Sequence, residues 1–207
     1  AKPIAGEPGS SMHIHHSILS TETGKNIFVG DGEAETAEFA HFIGGLQRYL
    51  PAATCLFAPY VNSFRRYVKA HAAPIVLEWG RDNRTTAIRV PVSPPEARRI
   101  ENRIAGMDCN PYLAIAASLA CGYLGLLEKS APDPEFRGDA YGQGEAIPQN
   151  LFDALDLFEA DTALREVLDT DAAATATELA EQRGPHPGPH QVWRRGQLPQ
   201  TRRPGPG

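Results

Sequence analysis

Cysteine is scarce and unpatterned in this chain. Its three cysteines, Cys55, Cys109 and Cys121, are odd in number and share no metal-type spacing, which argues against a disulfide framework or a zinc knuckle. There is no run of 18 consecutive apolar residues, so no segment reads as a bilayer-spanning helix. No apolar leader follows Ala1-Lys2-Pro3, and together with the few thiols this leads us to expect a cytoplasmic location. No glycine-rich loop follows a candidate strand, which excludes a Rossmann or Walker-type nucleotide site. No internal repeat is visible.

What is present is the composition of an ordinary globular protein: 207 residues, 42% hydrophobic, 22% charged, net charge −5. That length predicts one domain with a sizeable core. The charge is uneven. Residues 183–207 hold five Arg, six Pro and five Gly and no acidic residue, which leaves −10 on the rest. We therefore expect a folded unit over residues 1–172 and a Pro/Gly/Arg-rich, disordered tail over 173–207. The abrupt change of composition near residue 172 favours a shifted reading frame as the tail's origin. The tail's arginines lack the aromatic interleaving of a nucleic-acid binder, so neither nucleic acid nor membrane is an expected partner.

Residues 11–19 alternate, with Met12, Ile14 and Ile18 on one strand face and His13, His15 and Ser17 on the other. His16 falls opposite His13 and His15 and reads as structural. Glu33–Leu50 has the 3.6-residue period of a helix through Phe39, Ile43, Leu46 and Leu50, with Pro51 as its expected stop. Pro74–Trp79, Thr85–Val90 and Arg99–Ile104 are strand candidates separated by the turn Arg81-Asp82-Asn83. Asn110-Pro111 is a helix start, cap followed by first-turn proline, for an Ala/Leu-rich core helix to about Lys129. A last, acidic helix is expected from Leu151 to about Leu168. Strands and helices mix without regular alternation, which points to the α+β class.

Three constellations carry chemistry. His13-x-His15-x-Ser17 aims two imidazoles and a hydroxyl into one space. Such a set suits a divalent cation and a phosphate or base, and equally a surface strand with incidental histidines. Arg99, Glu101 and Arg103 share one strand face, which is either an ion-pair ladder or a site where Glu101 binds Mg²⁺ or Mn²⁺ while the arginines hold anionic oxygens. Arg65, Arg66, Arg84 and Arg89 concentrate cations in the middle of an acidic chain. A metal-bound polyphosphate is the best match to them, and ordinary surface arginine the plain alternative.

Taken together, these segments resemble the glutamine synthetase superfamily. The resemblance rests on Pro8-Gly9-Ser10-Ser11-Met12-His13-Ile14-His15, Asn62-Ser63-Phe64-Arg65-Arg66, Asp82-Asn83-Arg84-Thr85-Thr86-Ala87-Ile88-Arg89-Val90-Pro91, Ala97-Arg98-Arg99-Ile100-Glu101-Asn102-Arg103 and Asn110-Pro111-Tyr112-Leu113-Ala114-Ile115-Ala116-Ala117. It implies an α+β catalytic domain with helices around a curved, mainly antiparallel sheet. It also implies an ATP-dependent ligase that phosphorylates glutamate's side-chain carboxylate and lets an amine displace the phosphate, with Mg²⁺ or Mn²⁺, in a homo-oligomer. Carried over by position, His13 and Glu101 resemble metal ligands. His15, Ser17, Arg84, Arg89 and Arg99 resemble ATP contacts, and Gly9, Arg66 and Arg103 resemble glutamate contacts. Arg84 and Arg66 are the expected catalytic pair. Two departures, Pro8 before Gly9 and Ala72-Ala73 before Pro74, suggest an organic amine such as a polyamine in place of ammonium. The chain matches the second half of such a domain, so an inactive fragment or a nucleotide-binding pseudoenzyme is the alternative expectation.

Overall fold

The computed structural model describes residues 2–4, 7–69 and 73–168. The expected boundary at residue 172 and the tail lie outside the described residues, as does Ala72.

Four short strands form one sheet in the order β1-β4-β3-β2: β1 (Ile14–His16), β2 (Trp79–Arg81), β3 (Ile88–Val90) and β4 (Ile100–Asn102). β4 runs antiparallel to both β1 and β3. β2 and β3 are parallel, a departure from a wholly antiparallel sheet. β1, β3 and β4 are shorter than their patterns suggested, and β2 is displaced: of the expected Pro74–Trp79 strand only Trp79 belongs to it, and Arg81, expected in a turn, ends it. The flanking residues still pair locally, as in the Ser11–Gly106 bridge and the bond from Met12 N–H to the Ala105 carbonyl at 2.9 Å. Ile75–Leu77 is extended but pairs with residues 145–147 and not with the sheet.

Three helices complete the fold: α1 (Ala37–Phe57) and α2 (Pro111–Glu128) lie against one face of the sheet, and α3 (Leu151–Ala160) packs on α1. Thr36 caps α1 through Phe39 N–H, Asn110 caps α2 through the amides of Tyr112 and Leu113, and Asn150 caps α3 through Asp153 N–H. Pro51 does not stop α1, which continues to Phe57. An interior proline costs a helix about 3 kcal/mol. Here the next turn buries Ala53, Cys55, Leu56 and Phe57, and that burial outweighs the lost bond. The last helix, expected to be continuous, breaks at Asp161, whose ψ of 92° is extended; its carboxylate then caps the helical residues 162–168 through Leu164 N–H.

α1 and α2 cross with almost no side chain between them. A β-carbon on Gly45 would overlap the backbone of Cys121 and Gly125, and one on Gly122 would overlap the Phe42 ring. α2 meets the minimum length and hydropathy of a membrane span, with 18 residues and a mean hydropathy of 1.3. Its Ala114, Ala117, Cys121 and Leu124 pack into the core, as expected for a core helix.

The two faces of the sheet differ. Ile14, Ile88 and Ile100 point to the helices, and His16 joins them. Its Nε2 lies 2.7 Å from Ser118 Oγ on α2, and Asn102 Nδ2 donates to the same oxygen at 2.9 Å. Burial first, and the neighbouring His15 second, push His16 down to about 4, so it is neutral and accepts the Ser118 proton. The predicted structural role of His16 holds.

Candidate charged-ligand site

The opposite face is charged. Register places His15 opposite Glu101, Glu101 opposite Arg89 and Arg89 opposite Gly80, so these four form one row across the sheet. His13 and Arg103 stand two residues along from His15 and Glu101, hence on the same face.

Glu101 is the centre. Its carboxylate is 1% exposed. Oε1 lies 3.0 Å from His13 Nδ1 and accepts from Arg103 Nη1 at 2.8 Å; Oε2 accepts from Arg89 Nη1 at 2.7 Å. Burial alone would raise its pKa. The hydrogen bonds from His13 and Arg89 and the positive charge of Arg103 outweigh it and hold the carboxyl at about 2. One carboxylate thus sits against two guanidinium groups and an imidazole. Arg89 reaches on to Asp82 Oδ1 with its other nitrogen at 2.6 Å. Arg103 Nη2 donates to the Arg84 carbonyl at 3.3 Å, which anchors the backbone under Arg84. The Nε atoms of Arg89 and Arg103 are buried without a protein partner.

The remaining candidates fall around this centre. Arg84 is exposed and lines an open cleft of about 860 Å³ together with Arg89. His15 and Ser17 are exposed on β1 and just after it. Burial, and then the nearby Arg99, lower the pKa of His15, against the pull of Glu101, so the neutral ring is favoured. Ser17 Oγ accepts from Asn26 Nδ2 at 3.2 Å. Arg99 does not join Glu101 in a ladder; its Nη1 donates to the Ala97 carbonyl at 3.1 Å.

Arg66 sits elsewhere, below the end of β4. It is 2% exposed, donates to the Ile104 carbonyl and stacks 4.7 Å from the Tyr67 ring. Tyr67 Oη donates to the same carbonyl at 2.9 Å, and Arg66 Nη1 is buried without a partner. Ser11 bridges to Gly106 beside this cluster, which brings the half-buried Gly9 loop to the same end of the strand. Arg103 and Ile104 are adjacent in sequence, so the Glu101 and Arg66 clusters share a single strand end.

The sequence pattern missed several members. Asp82 had the look of a plain turn residue; its φ of 47° instead turns its carboxylate to Arg89. Arg81 and the segment 133–138 were also overlooked. An acidic-aromatic-basic triplet, Glu135-Phe136-Arg137, inside a Pro-rich connection was the one available signal.

For a divalent cation the fit is partial. Two neighbouring ligands of an octahedral ion bonded at about 2.1 Å stand about 3 Å apart, and His13 Nδ1 and Glu101 Oε1 match that spacing at 3.0 Å. Among the described residues no group of three His, Cys, Asp or Glu could hold a metal, so His13 and Glu101 by themselves do not make a complete metal site.

The domain is thus α+β, with helices on one face of its sheet and arginines and histidines gathered around one buried glutamate on the other. A family model described as glutamine synthetase, catalytic domain, matches residues 1–182. A glutamine synthetase of Thermococcus kodakarensis is 38% identical over 177 residues, covering 81% of this chain and 39% of that protein. The solved structure of apo GmaS without ligand superposes with a TM-score of 0.77 at 34% identity, over 88% of this chain and 43% of that one. A GmaS/ADP complex superposes equally well, at 33% identity over 88% of this chain and 44% of that one. The chain belongs to the glutamine synthetase catalytic-domain family, and it spans about two-fifths of the length of these relatives.

Proposed function

We propose that this chain carries the nucleotide- and glutamate-handling part of an ATP-dependent ligase that joins the side-chain carboxylate of glutamate to an amine through γ-glutamyl phosphate. The observation that carries the reading is the buried Glu101, held ionised by His13, Arg89 and Arg103 beside an open arginine-lined cleft. In this reading Arg84 and Arg89 hold the nucleotide phosphates from the cleft wall, with Arg99, His15 and Ser17 flanking them. Fixed guanidinium groups there stabilise the charge that develops as a phosphoryl group transfers. A GmaS of similar fold is solved as an ADP complex, which supports nucleotide binding. Arg66, Arg103 and Gly9, brought to one strand end, hold glutamate, with Arg66 as the second catalytic arginine.

His13 and Glu101 would hold a Mg²⁺ or Mn²⁺ ion. When bound, such an ion supplies positive charge that neutralises phosphate oxygens. Binding would replace the proton between His13 Nδ1 and Glu101 Oε1, while the two arginines keep the carboxylate ionised.

Ammonium is the acceptor that the glutamine synthetase name of the relative supports. Pro8 ahead of Gly9 and Ala72 ahead of Ala73-Pro74 favour a larger organic amine such as a polyamine. In the full protein we read the assembly as a cytoplasmic homo-oligomer. The test is amine-dependent phosphate release from ATP by the 207-residue chain with glutamate and Mg²⁺ or Mn²⁺. Release with ammonium or an organic amine, lost in Arg84→Ala, is expected. Nucleotide binding with no release for any amine overturns the ligase reading for this chain and leaves a nucleotide-binding pseudoenzyme.

A further inference from the structure

The arginine cleft has a second wall that the sequence motifs do not touch. Residues 133–138 cross the free edge of β2 as a strap. Phe136 N–H donates to the Trp79 carbonyl at 2.9 Å, Trp79 Nε1 donates to the Asp133 carbonyl at 2.7 Å, and Asn83 Nδ2 donates to the Gly138 carbonyl at 2.9 Å. Gly80 makes the crossing possible: a β-carbon there would stand 2.6 Å from the Phe136 carbonyl oxygen. Arg81 fastens the strap. Its backbone amide donates to Glu135 Oε1 at 3.2 Å, its Nη1 to Glu135 Oε2 at 2.7 Å, and its Nη2 to Glu35 Oε2 at 2.6 Å. With its charge spent on two carboxylates and its plane 5.4 Å from the Trp79 ring, Arg81 is a clamp and not a free cation.

Arg137 differs. It lines the same cleft as Arg84 and Arg89, its side chain is 85% exposed, and its ion pair with Glu135 is long at 3.5 Å. Glu135 is already satisfied at shorter range by Arg81. The cleft is therefore lined by four arginines against two acids, Asp82 and Glu135, each of which is paired to an arginine in place. The excess charge faces solvent on both walls.

We propose that Arg137 is a further polyphosphate contact, closing on the phosphates from the wall opposite Arg84 and Arg89, and that Arg81 is the residue that positions it through Glu135. The proposal rests on the reading that this cleft takes the nucleotide's phosphates. A guanidinium carried on a strap fastened at both ends brings its charge without ordering a mobile loop, so the backbone that carries Arg137 is preorganised while its side chain stays free to close.

The experiment measures dissociation constants of adenosine, AMP, ADP, ATP and inorganic triphosphate for the full chain by titration calorimetry. Arg137→Ala is expected to weaken ATP and inorganic triphosphate about tenfold and adenosine not at all, as one lost charge-assisted contact predicts. Arg81→Ala is expected to reproduce that phosphate-dependent pattern, while Arg137→Lys restores part of it. A uniform loss across the series, or no loss in Arg137→Ala while Arg84→Ala weakens ATP, overturns the Arg137 contact alone. Loss in Arg137→Ala with Arg81→Ala unchanged overturns the positioning role. A wild-type chain that binds neither ATP nor triphosphate overturns this proposal and the nucleotide reading together. Weakening of ATP without weakening of triphosphate overturns it as well, because the contact would then not be to phosphate.

Discussion

Glu101 and His16 are one sheet layer apart and respond to acid in different windows. Glu101 holds its proton less tightly in the folded chain than in the unfolded one, so its contribution is complete above the ordinary carboxylate value of 4.5 and is lost as pH falls toward about 2. His16, also depressed on folding, contributes fully above 6.5 and its contribution drains away as pH falls to about 4. Urea unfolding across pH 7 to 5 therefore separates the histidines from Glu101. His15, also depressed by burial, adds to the wild-type slope, and the His16→Gln variant removes the share of His16. We expect a loss on the order of 3 kcal/mol spread between pH 6.5 and 4 in the wild type, and a flatter profile in His16→Gln. Glu101→Gln leaves the buried Arg103 without its carboxylate and Arg89 with Asp82 alone, and should cost about 3 kcal/mol at neutral pH, read as a drop in the urea midpoint. The residue types at positions 13, 15, 84, 89, 101 and 103 were legible as a charged site because arginine, histidine and glutamate on one strand face have few other uses. The partner of each was not. That Arg99 turns back to Ala97 while Arg103 takes Glu101 is set by pairing register, which a single strand's sequence does not contain.

The helices show both outcomes of pattern reading. α2 was legible end to end, since its cap, first-turn proline and apolar content agree. α1 was expected to start four residues early, at Glu33 and not after the Thr36 cap, and to end seven residues short, because local proline chemistry was weighed and burial of the following turn was not. The parallel pairing of β2 with β3 was invisible, as two strands joined by a short turn ordinarily form a hairpin. The glycines at the α1–α2 crossing are the most sensitive points of the architecture. Gly125→Ala forces the two helix backbones apart and should lower the melting temperature by several degrees, corresponding to about 1 to 3 kcal/mol; Ala117→Gly on the same helix changes propensity without overpacking and separates the two effects.

For the molecule as a whole, the outer face of α2 leaves Tyr112, Ile115, Leu119, Tyr123 and Leu127 exposed, at 41 to 83% of their surface. No charged residue interrupts the helix before Glu128. A contiguous apolar stripe of this kind lowers solubility. The double variant Ile115→Lys/Leu119→Lys should reduce light scattering at a given concentration without changing the melting temperature, since neither side chain is buried. The α+β class was legible from the mixture of strand and helix patterns. The shape of the cleft was not, because its second wall comes from a connection with no secondary-structure signal.

The row His15–Glu101–Arg89–Gly80 also dictates when the site comes into being. His16 meets Ser118 across 102 residues of chain, and β1 meets β4 over a comparable span. Closing so long a loop is slow, and it becomes favourable only after α1 and α2 have packed. The helical pair should therefore form early, with the charged face assembling last. Pulse-labelled hydrogen exchange would see α1 and α2 amides protected while those of β1 and β4 still exchange. A chain caught at that stage would have its helices and its core but no row, and so nothing with which to grip an anion.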